Sequence, residues 1–583
     1  MKTLHALTMF ATATAFAAGP APVVFNSFTY TGRDTVFDQP LPAGSYRNPI
    51  LAGYYPDPSI CRVGDDYYLV NSTFAHFPGI PIHHSRDLVH WTQIGQVVSR
   101  PTQLNYDGLG VSRGLFAPAI SYHQGTFYMI CTMIDAGGNF FMTATNPAGP
   151  WSDPVWLDFD GIDPSFFFDH DGKAWLVNNG APEGKPLYNG HRAIWVQEFD
   201  AATQKLVGPR SVLVNGGVDI AKQPVWIEGP HLYRRGDWYY LCCAEGGTGD
   251  NHSQVIFRSK SVTGPFVPWD KNPILTQRDL DGTQPQAVTT TGHADMTIGP
   301  DGQWWAVFLA CRPYAGHYFN TGRETFLLPV KWTDDSWPVI LPPGERVPYV
   351  VPAPVVNNKS NQAILPEHAE ATEKTGKTNS KSSILSVTSC KNDSGFLTGN
   401  FTWGDEFDGP ALSPLWIMLR QPHETWWSLT AYPGHLSLTP RRETLSGKDN
   451  PSFLARRLQH ARFEATTALT PPATPGVSAG LAAFQNETHH YFFGVRRAAA
   501  GLEIFLERLN GKLPEIVATA TIPDTARLEL RLTGEDKILA FAYATEAGKW
   551  QTLVPDADAT VLSTQTAGGF VGAILGLHAR LDQ

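Results

Sequence analysis

Short runs of aromatic and aliphatic residues, each introduced by a turn that contains Gly or Asp, dominate the pattern of hydrophobic and polar positions. Tyr67-Tyr68-Leu69-Val70 follows Asp65-Asp66, and Trp304-Trp305-Ala306-Val307 follows Gly302-Gln303. Apolar runs of this length, bounded by turn residues and rich in aromatic side chains, are typical of β-strands. The pattern therefore predicts an all-β protein.

Five segments repeat one design, in which a lead residue and a short extended run precede the turn and the aromatic strand. The lead residues, in chain order, are Asp57, Ala117, Asp163, Glu228 and His293. From each of them to the first residue after the turn the offset is 10 or 11 residues. Successive lead residues are 60, 46, 65 and 65 positions apart, enough for four strands each. The repeats predict a five-bladed β-propeller over residues 45–350.

A second all-β domain is predicted over residues 401–583, because strand patterns such as Phe453-Leu454-Ala455 and Tyr491-Phe492-Phe493 continue to the end of the chain. The simplest architecture for it is a β-sandwich. Between the two domains, residues 351–400 are rich in Lys, Ser, Thr, Glu and Asn, which is typical of a solvated linker.

The N-terminus carries the pattern of a signal peptide over residues 1–17. Lys2 precedes an apolar stretch that ends in Ala15-Phe16-Ala17, and residues 18–44 then form an N-terminal extension. No later segment contains 18 or more unbroken apolar residues, the length that a membrane span requires. We therefore expect a secreted or periplasmic protein with no membrane partner.

The charge of the chain excludes one class of partner. Its formal net charge is -10, and no long basic run is present. Binding to a nucleic acid backbone needs clustered Lys and Arg, so we expect no nucleic acid partner and favour a neutral substrate.

Equivalent positions on the innermost strands of a propeller converge at its axis, so the lead residues should meet there. Three of the five, Asp57, Asp163 and Glu228, are carboxylates, and His293 adds an imidazole. Taken singly, an Asp before Pro is more often part of a turn than of a site. Three carboxylates crowded together lower the stability of the fold through like-charge repulsion and desolvation. Such arrangements are typical of sites that use perturbed pKa values. Glycoside hydrolysis uses a pair of carboxyl groups that flank the glycosidic bond.

The residues around these positions resemble glycoside hydrolase family 43, specifically its β-xylosidases. The resemblance covers the whole predicted propeller. The segments that carry it are Asn48-Pro49-Ile50, Tyr55-Pro56-Asp57-Pro58-Ser59, Ser72-Thr73-Phe74, Phe77-Pro78-Gly79, Glu228-Gly229-Pro230-His231, Ala244-Glu245-Gly246-Gly247-Thr248, Gly292-His293-Ala294-Asp295 and Gly322-Arg323-Glu324-Thr325-Phe326. The C-terminal part is similar to the concanavalin-like domain of the same enzymes, on Asp405-Glu406-Phe407-Asp408-Gly409-Pro410 and Phe453-Leu454-Ala455-Arg456-Arg457.

The resemblance implies a mechanism with inversion of configuration. Asp57 would be the general base, Glu228 the general acid, and Asp163 the carboxylate that orients Glu228 and raises its pKa. Inversion needs room for a water molecule, so the two working carboxyls should lie roughly 6.5–9.5 Å apart. The second negative charge of Asp163 opposes ionisation of Glu228, which keeps a proton available for the leaving group.

Further site residues follow from the same resemblance, each with a simpler alternative. Arg323 matches a substrate-contacting arginine, although it could also pair with Glu324. Phe74 matches an aromatic residue under the sugar nearest the cleaved bond, although a Phe in a propeller is usually a core residue. Thr248 is a candidate of the same kind.

His293 could position that sugar or contact an ion at the axis. No cofactor is required, and we leave open a structural Ca²⁺ at the propeller axis, because a lone His is weak evidence for a metal.

Three positions depart from the pattern of the family. Phe116 stands where these enzymes commonly have Trp, Ile162 where an aromatic often precedes the Asp, and Ile227 where Thr often precedes Glu-Gly-Pro. Because these three residues would flank the sugar, the departures bear on which pentose is preferred and on how strongly the sugar is stacked.

The sequence thus predicts an exo-acting hydrolase that releases D-xylose from non-reducing ends of β-1,4-xylo-oligosaccharides. The main alternative is an α-L-arabinofuranosidase acting on arabinoxylan or arabinan side chains. A carbohydrate-binding protein without catalysis is a third possibility, against which the intact set of Asp57, Asp163 and Glu228 argues.

Overall fold

The computed structural model describes residues 20–355 and 398–582. The predicted signal peptide, residues 1–17, and most of the predicted linker lie outside the described residues. Almost all regular structure is β. The described helices are short, and none of them is long and apolar enough to cross a membrane. They are three 3₁₀ turns and one α-turn, at Thr35–Phe37, Ile220–Lys222, Ala559–Leu562 and Thr564–Ala567.

Five antiparallel sheets form the blades of a propeller, each with its first strand innermost. Blade 1 consists of Ser59–Val63, Asp66–Val70, Gly79–Ser85 and Thr92–Val98; blade 2 of Gly114–His123, Thr126–Ile134, Gly138–Ala144 and Val155–Leu157. Blade 3 consists of Ile162–Phe168, Ala174–Gly180, Ala193–Asp200 and Lys205–Asn215. Blade 4 consists of Glu228–Arg235, Trp238–Glu245, Ser253–Ser259, Val267–Pro268 and Leu275–Thr276; blade 5 of Thr289–Ile298, Trp304–Cys311, Glu324–Trp332 and Pro338–Val339.

The blades close into a ring. Each inner strand packs against that of the next blade, and the inner strand of blade 5 packs against that of blade 1. Asn48 adds a further link to the ring. Its buried side chain donates to the carbonyl of Leu327 and accepts from the amide of Leu327, both at 2.9 Å. The strands Ser45–Arg47 and Val350–Pro352 pair beside it. The predicted five-bladed propeller is confirmed.

The second domain is a sandwich of two antiparallel sheets, as predicted. In neighbour order, one sheet consists of Trp427–Ser428, Leu436–Leu438, Val23–Gly32, Arg462–Thr470, Leu528–Glu535, Ile538–Ala544 and Gln551–Asp558, with Phe401–Asp405 also paired to Val23–Gly32. The other consists of Phe453–Arg457, Ile574–Leu581, Val477–Asn486, His489–Ala498, Gly501–Asn510 and Glu515–Ile522. Their facing side chains form one large apolar core.

The segment 18–44, expected to be an extension outside both domains, instead contributes a strand to the sandwich. Val23–Gly32 pairs with Arg462–Thr470, and a bulge interrupts the register between Phe25 and Ser27. Phe25 and Phe28 are fully buried on either side of this bulge. The bulge breaks the simple alternation of apolar and polar residues, which is why the sequence pattern did not indicate a strand here.

The two domains share a core at one end of the propeller. Met418–Leu419 of the sandwich pairs with His76–Phe77 of blade 1. Phe74 of the propeller belongs to the same buried cluster as Phe453 and Phe484 of the sandwich. The sandwich is therefore fixed against the loops at this end rather than tethered loosely.

Candidate active site

A shared backbone irregularity at or just before the start of the inner strands positions the site. In blades 2 to 5 the pairing with the second strand skips two residues near the start of the inner strand. The equivalent residue of every blade has a positive φ: 51° at Asp57, 42° at Ala117, 52° at Asp163, 55° at Gly229 and 52° at His293. Such backbone is costly for residues other than Gly and is concentrated at functional sites.

The register of blade 4 differs from the prediction by one residue. Gly229, not Glu228, is the structural equivalent of Asp57 and Asp163, so Glu228 precedes the irregularity, as Phe116 and Ile162 do in their blades. A Cβ on Gly229 would lie 2.7 Å from Nε2 of His293. Glycine therefore leaves space for the His293 ring, and the carboxyl group comes from the preceding residue.

All nine predicted site residues line one cavity of about 560 Å³. They are Asp57, Phe74, Phe116, Ile162, Asp163, Glu228, Thr248, His293 and Arg323. The expectation that Ile227 also flanks the sugar was wrong. Its side chain is buried in the core between blades 3 and 4, where it packs in an apolar cluster.

Asp57 is buried, and a separate donor binds each of its carboxylate oxygens. Arg323 Nη1 donates to Oδ1 at 3.0 Å, and Ser72 Oγ donates to Oδ2 at 2.6 Å. Burial opposes ionisation, yet the charges of Arg323 and His293, together with the serine hydrogen bond, hold the pKa of Asp57 below its usual value. Asp57 is therefore ionised and can accept a proton from water.

Glu228 has the opposite environment. No residue of the described ranges 20–355 and 398–582 forms a hydrogen bond with its carboxyl group, which faces the cavity. Burial raises the pKa of Glu228, and the negative charge of Asp163 raises it further, to about 8. Glu228 therefore carries a proton at neutral pH and can donate it.

Asp163 and His293 form the centre of the site. Asp163 Oδ2 accepts a hydrogen bond from the amide of Gly229 at 3.2 Å and lies 3.8 Å from Nε2 of His293. Burial lowers the pKa of a histidine, but the surrounding carboxylates more than reverse this and raise the pKa of His293 to about 9. The imidazole is therefore positively charged.

The described residues contain no group of three His, Cys, Asp or Glu side chains that could hold a metal ion. A positively charged His293 would also oppose a neighbouring cation, so an ion would have to displace its proton. The Ca²⁺ site at the propeller axis stays a prediction.

Arg323 faces the cavity, not the surface. It pairs with Asp57, and Nη1 also donates to Thr248 Oγ1 at 3.2 Å. Glu324, the alternative partner, forms an ion pair with Arg312 instead. The guanidinium thus fixes the ionised carboxylate while its remaining donors stay near the substrate space.

Aromatic rings close this side of the cavity. Phe74 contacts Phe116 edge to face at 5.1 Å between ring centroids. Phe570, from the sandwich, stacks on Phe74 at 6.1 Å, and its carbonyl accepts from Arg323 Nη2 at 3.3 Å. Phe74 is both a core residue and a wall of the cavity, so the two interpretations of this residue are compatible.

Several lining residues were not predicted as site residues. They include Arg113, Ile134, Asn179, Arg192, Val225, Trp226 and Phe570. Phe570 belongs to the other domain, and no local pattern in the sequence connects it with the propeller. Ser72, which binds Asp57, lies in the quoted segment Ser72-Thr73-Phe74 and could have been proposed from it.

Comparisons with known proteins agree with this geometry. The family model "Glycosyl hydrolases family 43" matches residues 46–338, and "Beta xylosidase C-terminal Concanavalin A-like domain" matches residues 404–582. The chain belongs to glycosyl hydrolase family 43. As a member of this family it is a glycoside hydrolase.

Relatives and solved structures cover nearly the whole chain. It is 38% identical to a xylosidase/arabinosidase of Butyrivibrio fibrisolvens, over 91% of this chain and 95% of the relative. It is 35% identical to a non-reducing end α-L-arabinofuranosidase of Bacteroides ovatus, over 92% and 91%. Among solved structures, a xylan β-1,4-xylosidase from Bacillus halodurans has a TM-score of 0.76, 33% identity and coverage of 92% and 97%.

Proposed function

We propose that this family 43 enzyme is an exo-acting, inverting β-xylosidase that releases D-xylose from non-reducing ends of β-1,4-xylo-oligosaccharides. The observation that carries the proposal is the contrast between Asp57 and Glu228, which line one cavity with opposite shifts in pKa. One group is ready to take a proton and the other to give one, as single displacement at a glycosidic bond requires.

In this mechanism Asp57 activates a water molecule while Glu228 protonates the glycosidic oxygen. Asp163 keeps Glu228 protonated through its negative charge and binds the amide of Gly229, the next residue. Arg323 and Ser72 hold Asp57 in place. Asp57 comes from blade 1 and Glu228 from blade 4, so they lie on different walls of the axis, which supports inversion rather than a covalent intermediate.

The walls of the cavity support exo action. Phe74, Phe116 and Phe570 close one side around Arg323, which suits a terminal sugar better than the interior of a polymer. Activity on α-L-arabinofuranosides is the second candidate, supported by the names of two relatives. The ratio of kcat/KM on aryl β-D-xyloside and aryl α-L-arabinofuranoside distinguishes the two.

Export to the periplasm or the medium belongs to the same proposal. It is supported by the signal peptide pattern of residues 1–17 and by a substrate that is an extracellular polysaccharide fragment. Mass spectrometry of the mature N-terminus tests it.

The anomer released first tests the mechanism. Single displacement on xylobiose must yield α-xylose before mutarotation, since water attacks the face opposite the leaving group. Proton NMR within the first minutes of hydrolysis distinguishes the anomers. If β-xylose is released first, Asp57 cannot be the base of a single displacement.

A further inference from the structure

Arg192 lines the cavity and has no acidic partner in the part of the chain that the structure describes. Three arginines line the cavity: Arg323 pairs with Asp57 and Arg113 forms two hydrogen bonds with Asp135. Arg192 is half-buried, and among residues 20–355 and 398–582 its guanidinium forms neither a hydrogen bond nor an ion pair. A partly desolvated guanidinium without an anion is energetically unfavourable. Its position therefore suits the binding of a ligand that carries a negative charge.

The guanidinium lies over an aromatic ring. Its central carbon is 4.0 Å from the centroid of Trp226, within the range of a cation–π contact. The backbone fixes both partners, because the amide of Trp226 donates to Gly190 at 3.0 Å and the carbonyl of Arg192 accepts from Gly216 at 2.9 Å. Trp226 also has a φ of 50°, a conformation that a tryptophan rarely adopts without a local reason.

The position of this pair assigns it to one side of the cleaved bond. Trp226 precedes Glu228 by two residues, and Glu228 is the group that would protonate the glycosidic oxygen. Arg323, Phe74 and Phe570 enclose the other side, where the terminal pentose would lie. The leaving sugar, on the far side of the protonated oxygen, is therefore the part of the substrate nearest Arg192 and Trp226.

We infer that Arg192, stacked on Trp226, binds a carboxylate on the leaving sugar, so that the enzyme prefers xylo-oligosaccharides in which that sugar carries a uronic acid. The inference rests on the proposed β-xylosidase function and specifies its substrate class. A guanidinium fork binds a carboxylate through two parallel hydrogen bonds, which a neutral hydroxyl cannot match.

A charged substrate and its uncharged twin test the inference. The first is xylobiose with glucuronic acid on its reducing-end xylose, and the second is the methyl ester of the same compound, which keeps the shape and removes the charge. The wild-type enzyme should hydrolyse the acid with a kcat/KM roughly tenfold above that of the ester. In Arg192→Gln this ratio should fall to one, and Arg192→Lys should be intermediate.

Arg210→Gln is the matched control, because Arg210 stacks on Trp195 at 4.4 Å in the same blade but does not line the cavity. It should keep the wild-type ratio. A wild-type ratio of one or less, or a ratio that survives in Arg192→Gln, overturns the inference. Calorimetric binding of both compounds to Asp57→Asn gives the same ratio without turnover, so loss of the proposed activity and loss of the carboxylate preference remain distinguishable.

Discussion

Asp57 and Glu228 are both buried carboxyl groups, yet their partners determine opposite protonation states. Two donors and two nearby positive charges favour the ionised form of Asp57. Among the described residues Glu228 has no such donor, and it lies close to a negative charge, so its neutral form is favoured. The different roles of the two groups, Asp57 as base and Glu228 as acid, follow from the partners of each side chain.

Asp163→Asn should move the alkaline limb of the pH profile of kcat/KM to lower pH. Glu228 must be protonated to act, so activity is lost as pH rises through its pKa, which the wild-type site raises to about 8. Removing the charge of Asp163 removes one cause of that rise. The measurement is kcat/KM against pH on xylobiose.

Glu228→Gln tests whether Glu228 is the group whose ionisation causes the alkaline limb. On an aryl xyloside with a good leaving group, which needs little protonation, this variant should retain activity and lose the alkaline limb. An unchanged limb in Asp163→Asn, or a limb that persists in Glu228→Gln, would contradict the assignment of the acid.

At the scale of the elements, the repeated irregularity of the inner strands explains why Glu228 precedes a glycine. The residue with the positive φ lines the cavity in blades 1, 2, 3 and 5, and in blade 4 the His293 ring lies where a side chain of this residue would be. The equivalent residues of the other blades have a similar φ without being glycine, so it is the absent Cβ that requires glycine at position 229.

Gly229→Ala should lower kcat/KM strongly, because the new methyl group displaces His293 and with it the partner of Asp163. Gly236→Ala is the control: this residue has a φ of 59° in the next turn of the same blade, with no atom within 4 Å of the added Cβ. Both variants share the cost of placing a Cβ on left-handed backbone, roughly 1–2 kcal/mol. Thermal unfolding and kcat/KM are measured for both, and equal activities would contradict the role of Gly229.

The sequence was sufficient for the blade count and the axial carboxylates, since repeats at a regular spacing produce equivalent strands. It was not sufficient for the register of blade 4, because counting from the turn does not detect a bulge. The proline after the bulge residue was the available signal: it follows Asp57, Ala117, Asp163 and Gly229 alike. The strand Val23–Gly32 was missed for the same reason, a bulge that interrupts alternation.

At the scale of the whole molecule, two domains complete one cavity. Arg457 of the sandwich donates to the carbonyl of Tyr54 at 2.9 Å, three residues before Asp57. Phe570 supplies a wall of the cavity and a hydrogen-bond acceptor to Arg323. These contacts join residues separated by hundreds of positions, so sequence patterns of either domain alone could not indicate them.

The backbones of the two domains touch at a pair of glycines beside this wall. A Cβ on Gly572 would lie 2.5 Å from the carbonyl oxygen of Thr321, and one on Gly322 would lie 2.8 Å from Cα of Gly572. Gly572 has no positive φ, so alanine suits its own conformation. A substitution there tests the close approach of the domains and nothing else.

Gly572→Ala should therefore raise KM and lower kcat on xylobiose, because the sandwich must shift and move Phe570 away from Arg323. Gly404→Ala is the control within the same domain, since its added Cβ meets no atom closer than 3.6 Å. Circular dichroism verifies that both variants are folded. Wild-type kinetics in folded Gly572→Ala would show that the sandwich merely covers the propeller, whereas a selective loss in this variant means that domain docking sets the geometry of the cavity.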